Sequence, residues 1–152
     1  MNEAQQTIVL QATAVAIEGR ALLIEGDPGL GKSSLALALI ERGAQLIGDD
    51  GVTLFRSASK RTSALMASAP PNISGLIEVR GVGLVKVNTA PPTPVALILR
   101  LIGPEEPEPE RLPRTIPKRE FLGSGVPVLP FRPGAIAPAE RALQALYTHG
   151  LP

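Results

Sequence analysis

Gly26, Gly31, Lys32 and Ser33 fall in the spacing G-x-x-x-x-G-K-[ST], inside "LLIEGDPGLGKSSLALALIERG" at 22–43. That spacing suits the phosphates of a nucleotide. Glycines let the loop turn tightly so that backbone N–H groups converge on phosphate oxygens. A following helix N-terminus adds partial positive charge, the lysine bridges the outer phosphates, and the serine hydroxyl can ligate Mg²⁺. Gly26, Asp27, Pro28, Gly29, Leu30, Gly31, Lys32, Ser33 and Ser34 are therefore the candidate nucleotide-binding residues. A glycine-rich strand-to-helix turn could share these letters. Residue frequencies make the four positions a chance event in roughly one chain of this length in 200, and a strand before and a helix after narrow that further.

Asp49-Asp50 follow a short apolar run downstream, where phosphate-binding loops commonly find acid for the metal. Adjacent carboxylates on extended backbone point in different directions. One could take a proton from an attacking hydroxyl while the other faces a cation. An ordinary Asp-Asp-Gly turn is the competing reading. Glu78 and Arg80, two apart in "IEVRG", share one face of a strand and by that alone read as an ion pair on a solvated sheet face. Gly81 and Gly83 read as strand-bend glycines.

The elements that must position these groups follow from patterning. "TIVLQATAVAI" at 7–17 is β-branched and partly alternating and predicts a strand; "EGR" predicts a turn, and 21–25 a buried strand. A buried helix is expected from Lys32 to about Arg42, stopped by Gly43. Short strands follow in "AQLIG" and "VTLFR". A hairpin or irregular strands are expected over 56–68, a loop in "ASAPPNISG", a strand-loop-strand over 76–87 and a buried strand from Val95 to Ile102. "GPEEPEPERLPR" is acidic and proline-rich, so 103–119 is expected as an exposed loop or arm. "VPVLPFRPG" should be extended, and 138–149 a helix with Ala142, Leu143 and Leu146 on one face. There is no internal repeat. The expected architecture is a single α/β domain over 1–152 with a strand-rich mixed sheet and few helices.

Composition narrows the partners. At 152 residues the chain can close a real core but is short for an enzyme with a separate lid. Aromatics at 3% and a net charge of +1 from scattered basic residues supply neither stacking platforms nor an electrostatic footprint for nucleic acid. Without cysteine there is no disulfide or thiolate metal site. "MNEAQQTIV" lacks the pattern of a signal peptide, and no apolar run reaches membrane-spanning length. A cytoplasmic protein, off the membrane, is the expectation.

The phosphate loop, "ERGAQLIGDDGV" and "PPNISGLIEVRGVGLV" occur in the order and form of three blocks of the bacterial HPr kinase/phosphorylase catalytic domain, which the chain resembles over roughly 8–135. The second and third blocks carry the specificity, since phosphate loops are widespread. The resemblance implies a nucleotide-binding core similar to that of phosphoenolpyruvate carboxykinases. It implies ATP- and Mg²⁺-dependent phosphorylation of a serine on HPr, the small phosphocarrier of the sugar phosphotransferase system, and reversal by inorganic phosphate. Carried over by position, Asp49 would be the base and Asp50 would support Mg²⁺ and the site. Ser33 and Glu78 match metal-associated positions and Arg80 a supporting one. Arg132 in "PFRPG" resembles an arginine associated with phosphate or acceptor handling. A homo-oligomer, often a hexamer, is implied. Four departures stand out. Gln11 replaces a histidine, Pro28 a loop serine, Ser34 a frequent acid, and Ala135-Ile136 an arginine and asparagine. Glutamine cannot titrate near neutrality, and proline removes a backbone donor. The remaining histidine, His149, is expected at the surface. Besides the leading kinase reading, a nucleotide-sensing module without catalysis and a small-molecule kinase are the alternatives.

Overall fold

The computed structural model describes residues 6–57, 64–70 and 75–152. Strands β1 (Thr7–Leu10), β2 (Thr13–Ile17) and β3 (Arg20–Glu25) lead into helix α1 (Lys32–Ile40). Strands β4 (Gln45–Gly48), β5 (Val52–Arg56), β6 (Leu65–Ser68), β7 (Leu76–Val79), β8 (Gly83–Lys86), β9 (Thr93–Leu101), β10 (Lys118–Phe121) and β11 (Ser124–Phe131) precede helix α2 (Pro138–His149). A nine-stranded mixed sheet runs β1-β5-β6-β9-β3-β2-β4, with β11 parallel to β9 and β10 antiparallel to β11; β7 and β8 form a separate hairpin.

Alternation along the central strands divides the core into two layers. Val15, Ile17, Leu22, Ile24, Leu97 and Leu99 face α1, α2 and the β7–β8 hairpin. Ala14, Ala16, Ala21, Leu23 and Ile98 face the other side with Val52, Leu54, Phe121 and Val126. Both faces of β2 and β3 are covered, as their continuous apolar runs require. Helix α1 ends where expected: Gly43 takes φ +103, and the Ala44 N–H donates to the Leu39 carbonyl at 3.1 Å. Helix α2 has the expected bounds and buries Ala139, Ala142, Ala145 and Leu146, with Leu143 partly buried against the same layer. An Arg42–Glu140 ion pair joins the end of α1 to the start of α2.

Two expectations are corrected. The strand over 7–17 is two strands, broken at Gln11-Ala12, because β1 pairs with β5 whereas β2 pairs with β3 and β4. One straight strand cannot serve both partners, and the break delivers Gln11 to the site described below. The arm expected over 103–119 ends earlier, because Lys118 opens β10. Leu122 (φ +51) and Gly123 (φ +84) make a two-residue hairpin turn of the type whose twist matches the flanking strands, the same device that joins β2 to β3 at Glu18-Gly19. The irregular or hairpin region expected over 56–68 contains β6, paired antiparallel to β5; its 58–63 portion, and 71–74 of the expected loop, lie outside the described residues.

Candidate functional site

Strand β2 lies between the strands that feed the two chemical loops. On one side β3 ends at Glu25 and releases the phosphate loop; on the other, β4 ends at Gly48 and releases Asp49-Asp50. Loop and acid pair thus emerge at the same edge. Glu25 is fixed there by Arg119 of β10, whose guanidinium donates to both carboxylate oxygens at 2.8 and 2.6 Å. That bidentate bond is also the main reason Arg119 is held above the usual arginine pKa.

The loop has the shape its glycines allow. A Cβ on Gly26 would come 3.1 Å from the Leu101 Cβ and 3.2 Å from the Leu101 carbonyl at a φ of +154, so glycine suits the loop's close start beside β9. Pro28 fits the backbone of this loop. The Leu30 N–H closes a turn onto the Asp27 carbonyl at 3.3 Å, with Pro28 at its second position and Gly29 (φ +86) at its third. Proline's fixed φ and glycine's positive φ suit those positions in a type II turn, which does not use the second residue's N–H. Lys32 folds its ammonium back onto the Gly26 carbonyl at 2.5 Å.

A cleft of about 350 Å³ is lined by Pro28, Gly29, Gly31, Lys32, Ser33 and Ser34 from the loop. Asp49, Asp50, Glu78 and Arg80 join them, with Gln11 and Thr13. Gly26 and Asp27 instead line a smaller recess that shares Gln11 with the cleft, and Leu30 packs against the core. Glu78 and Arg80 both reach the cleft, but Val79 ends the strand and no ion pair joins them among the described residues. The solvated-face ion pair is corrected by this: both residues belong to the cleft. Gly81 lies in the β7–β8 turn with φ +83, and Gly83 opens β8 with φ +128.

The acid pair is asymmetric. Asp49 Oδ1 accepts the Ser33 hydroxyl at 2.7 Å and the Thr13 hydroxyl at 3.1 Å; Oδ2 accepts the Glu78 N–H at 3.1 Å. Asp50 sits at φ +63, a left-handed conformation that aspartate tolerates better than most residues. It is exposed in the cleft, and its carboxylate has no hydrogen-bond partner among the described residues. One acid is locked onto the loop serine and the other is open. Thr13 follows Gln11 by two residues in "QATAVAI", and the β2–β4 register places it here.

Arg132 is not brought to this cleft. Its guanidinium donates to the carbonyls of Gly103 (3.0 Å) and Glu106 (2.8 Å) and lies 2.9 Å from the Glu108 carboxylate. It therefore ties the start of the acidic arm to the end of β11, beside a separate cavity of about 790 Å³ that His149, Ala135 and Ile136 also line. Arg100 grips the same arm through Glu106, whose carboxyl its hydrogen bond holds below the usual range. Arg132→Ala is expected to speed tryptic cleavage after Arg111 and Arg114 severalfold while leaving nucleotide affinity intact. Lost nucleotide affinity with an unaltered arm would return Arg132 to phosphate handling.

Fold and cleft together define a phosphate-loop protein of the strand-rich, phosphoenolpyruvate carboxykinase-like type. The model of the HPr Serine kinase C-terminal domain family matches residues 2–135. An HPr kinase/phosphorylase of Clostridium tetani is 34% identical over 155 residues, covering 93% of this chain and 49% of the relative. One from Lacticaseibacillus casei is 40% identical over 78 residues, or 51% of this chain and 24% of the relative. The solved structure of the Hpr(Ser) kinase/phosphatase from Coxiella burnetii superposes with a TM-score of 0.71 at 30% identity. That match covers 90% of this chain and 87% of the solved one. The chain belongs to the HPr serine kinase C-terminal domain family. It spans about half or less of the length of these kinase/phosphorylase relatives.

Proposed function

We propose that this chain is a kinase domain that transfers the γ-phosphoryl group of Mg-ATP to a serine of HPr, releasing ADP, and that in the phosphorolytic direction it passes the group from the phosphoserine to inorganic phosphate, giving pyrophosphate. The observation that carries the reading is the pairing of Asp49 with the Ser33 hydroxyl beside an open Asp50. In phosphate-loop enzymes the loop serine and a downstream aspartate together hold the metal.

The site suits these ligands. Gly29 and Gly31 have positive φ and open space where a Cβ would stand, leaving the loop backbone free to approach phosphate oxygens. Ser33, Asp49, Asp50 and Glu78 offer only oxygen donors, the chemistry Mg²⁺ prefers, and three carboxylates face two cations, Lys32 and Arg80. Among the described residues no three His, Cys, Asp or Glu side chains form a metal cage by themselves. Mg²⁺ commonly completes its shell with water and phosphate. When bound, the ion neutralises charge on the transferring phosphate.

The division of labour we assign exchanges the roles implied by position. Asp49, with both oxygens occupied, orients Ser33 and supports the metal side. Asp50, with free lone pairs in the cleft, takes the proton from the attacking serine hydroxyl and in reverse returns it. Lys32 leaves the Gly26 carbonyl for the outer phosphates. Gln11 can hydrogen-bond phosphate but carries no charge, which weakens the phosphorolytic direction relative to transfer. Among the described residues no helix is long and apolar enough to cross a membrane; a cytoplasmic setting and a homo-oligomer, possibly a hexamer, belong to the same reading.

The test is mass spectrometry of intact HPr from the same organism after incubation with this protein and Mg-ATP. A single added phosphate on one HPr serine is expected. Unmodified HPr alongside bound ATP would favour a sensor, and a labelled metabolite would favour a small-molecule kinase.

A further inference from the structure

Among the described residues only Thr13 and Thr93 are buried polar side chains. Thr93 is satisfied locally, donating to the Pro91 carbonyl two residues away at 2.7 Å. Thr13 is different. It is fully buried at the first position of β2, and both of its hydrogen bonds go to the acid pair across more than thirty residues of chain. Its hydroxyl donates to Asp49 Oδ1 at 3.1 Å and accepts the Asp50 N–H at 3.3 Å.

We infer that Thr13 is a positioning residue that sets the two aspartates relative to each other, holding Asp49 onto Ser33 and Asp50 in the left-handed conformation that turns it into the cleft. A single hydroxyl can do both because it has one proton to give and lone pairs to receive. Its geometry leaves no rotational freedom: turning away from Asp49 Oδ1 would abandon a buried donor, and moving the oxygen would leave the Asp50 N–H without its bond. The hydroxyl's location is set by strand register. Thr13 pairs with Ile24, one residue before Glu25, and the next residue, Ala14, pairs with Gly48, one residue before Asp49. The irregularity between Ala14 and Val15 in the β2–β4 pairing falls at this point. Both hydrogen bonds of the Thr13 hydroxyl go to the acid pair, so its effect on the chemistry runs through the acids.

The test compares Thr13→Val, which keeps the shape and removes the hydroxyl, with Thr13→Ser, which keeps the hydroxyl. Thr13→Ala is held in reserve should valine fail to fold, since residues 12, 14 and 16 are already alanine. Two readouts are taken. Hydrogen exchange of the Asp50 amide in ligand-free protein should rise about tenfold in Thr13→Val and stay near wild type in Thr13→Ser. Turnover in the HPr transfer assay should fall about tenfold or more in Thr13→Val with the KM for ATP within about twofold, and recover in Thr13→Ser. The second readout rests on the kinase reading and the first does not. If wild type transfers nothing, the kinase reading fails and amide exchange still decides the role of Thr13. Unchanged exchange at Asp50 in Thr13→Val, or equal turnover losses in the valine and serine variants, would overturn the inference.

Discussion

Asp50→Asn is expected to lower phosphoryl transfer by about 10²–10⁴-fold, the range set by loss of a positioned proton acceptor, while ATP binding changes little. Asparagine fills the same space at φ +63 and tolerates that conformation equally well. The variant should therefore fold and keep the loop contacts, so the loss is read in kcat. Asp49→Asn should behave otherwise. Its amide would present N–H groups either to the Ser33 and Thr13 hydroxyls or to the Glu78 N–H, where the carboxylate now accepts three bonds. Ser33 would lose its orientation, and the gain in nucleotide affinity on adding Mg²⁺ should shrink. Single-turnover transfer and nucleotide titrations with and without Mg²⁺, run on both variants, separate the roles. If Asp49→Asn abolishes transfer with binding intact and Asp50→Asn does not, the assignment by position stands and the exchange proposed above is wrong.

Gly48→Ala is expected to cost about 3 kcal/mol, the upper part of the range for forcing atoms into packed structure. The turn from β4 into the acid pair is so tight that a Cβ on Gly48 would stand 2.2 Å from the Gly51 carbonyl oxygen. Backbone cannot yield there without opening the turn that presents Asp49 and Asp50. For a domain of this size the loss corresponds to a fall in Tm of roughly 6–12 °C. Gly51→Ala is the control: its Cβ would meet only Pro70 Cγ at 3.7 Å, an ordinary contact. It should shift Tm by no more than about 2 °C. Equal shifts for the two alanine variants in thermal unfolding would show that the turn relaxes and does not constrain the acids.

Much of the site was legible because it is local. The glycine spacing, the buried strand before it and the helix after it sit within one continuous stretch, and Gly43 ends α1 for a reason internal to glycine. The Asp-Asp pair and the Glu78–Arg80 spacing were visible as candidates for the same reason. The resemblance to the family rested on those blocks, and the family match covers them. The hairpin turn at Leu122-Gly123 is marked in the sequence only by the glycine in its second position, close to the proline-rich arm.

What the chain alone determined is therefore the inventory: a phosphate loop, two adjacent carboxylates, a glutamate and an arginine in a glycine-flanked hairpin. Only the tertiary structure decided how they are arranged. Strand pairing broke 7–17 at Gln11-Ala12, brought a buried threonine between two aspartates, and directed Arg132 to the arm and away from the cleft. Even Pro28, which by type alone subtracts a donor from the loop, reads differently once Leu30 is seen closing a turn around it. The physical reason is range. Turn and helix preferences are properties of a few neighbouring residues. Which oxygen of Asp49 meets Ser33 depends instead on the register of three strands, and register is settled by packing across the whole sheet.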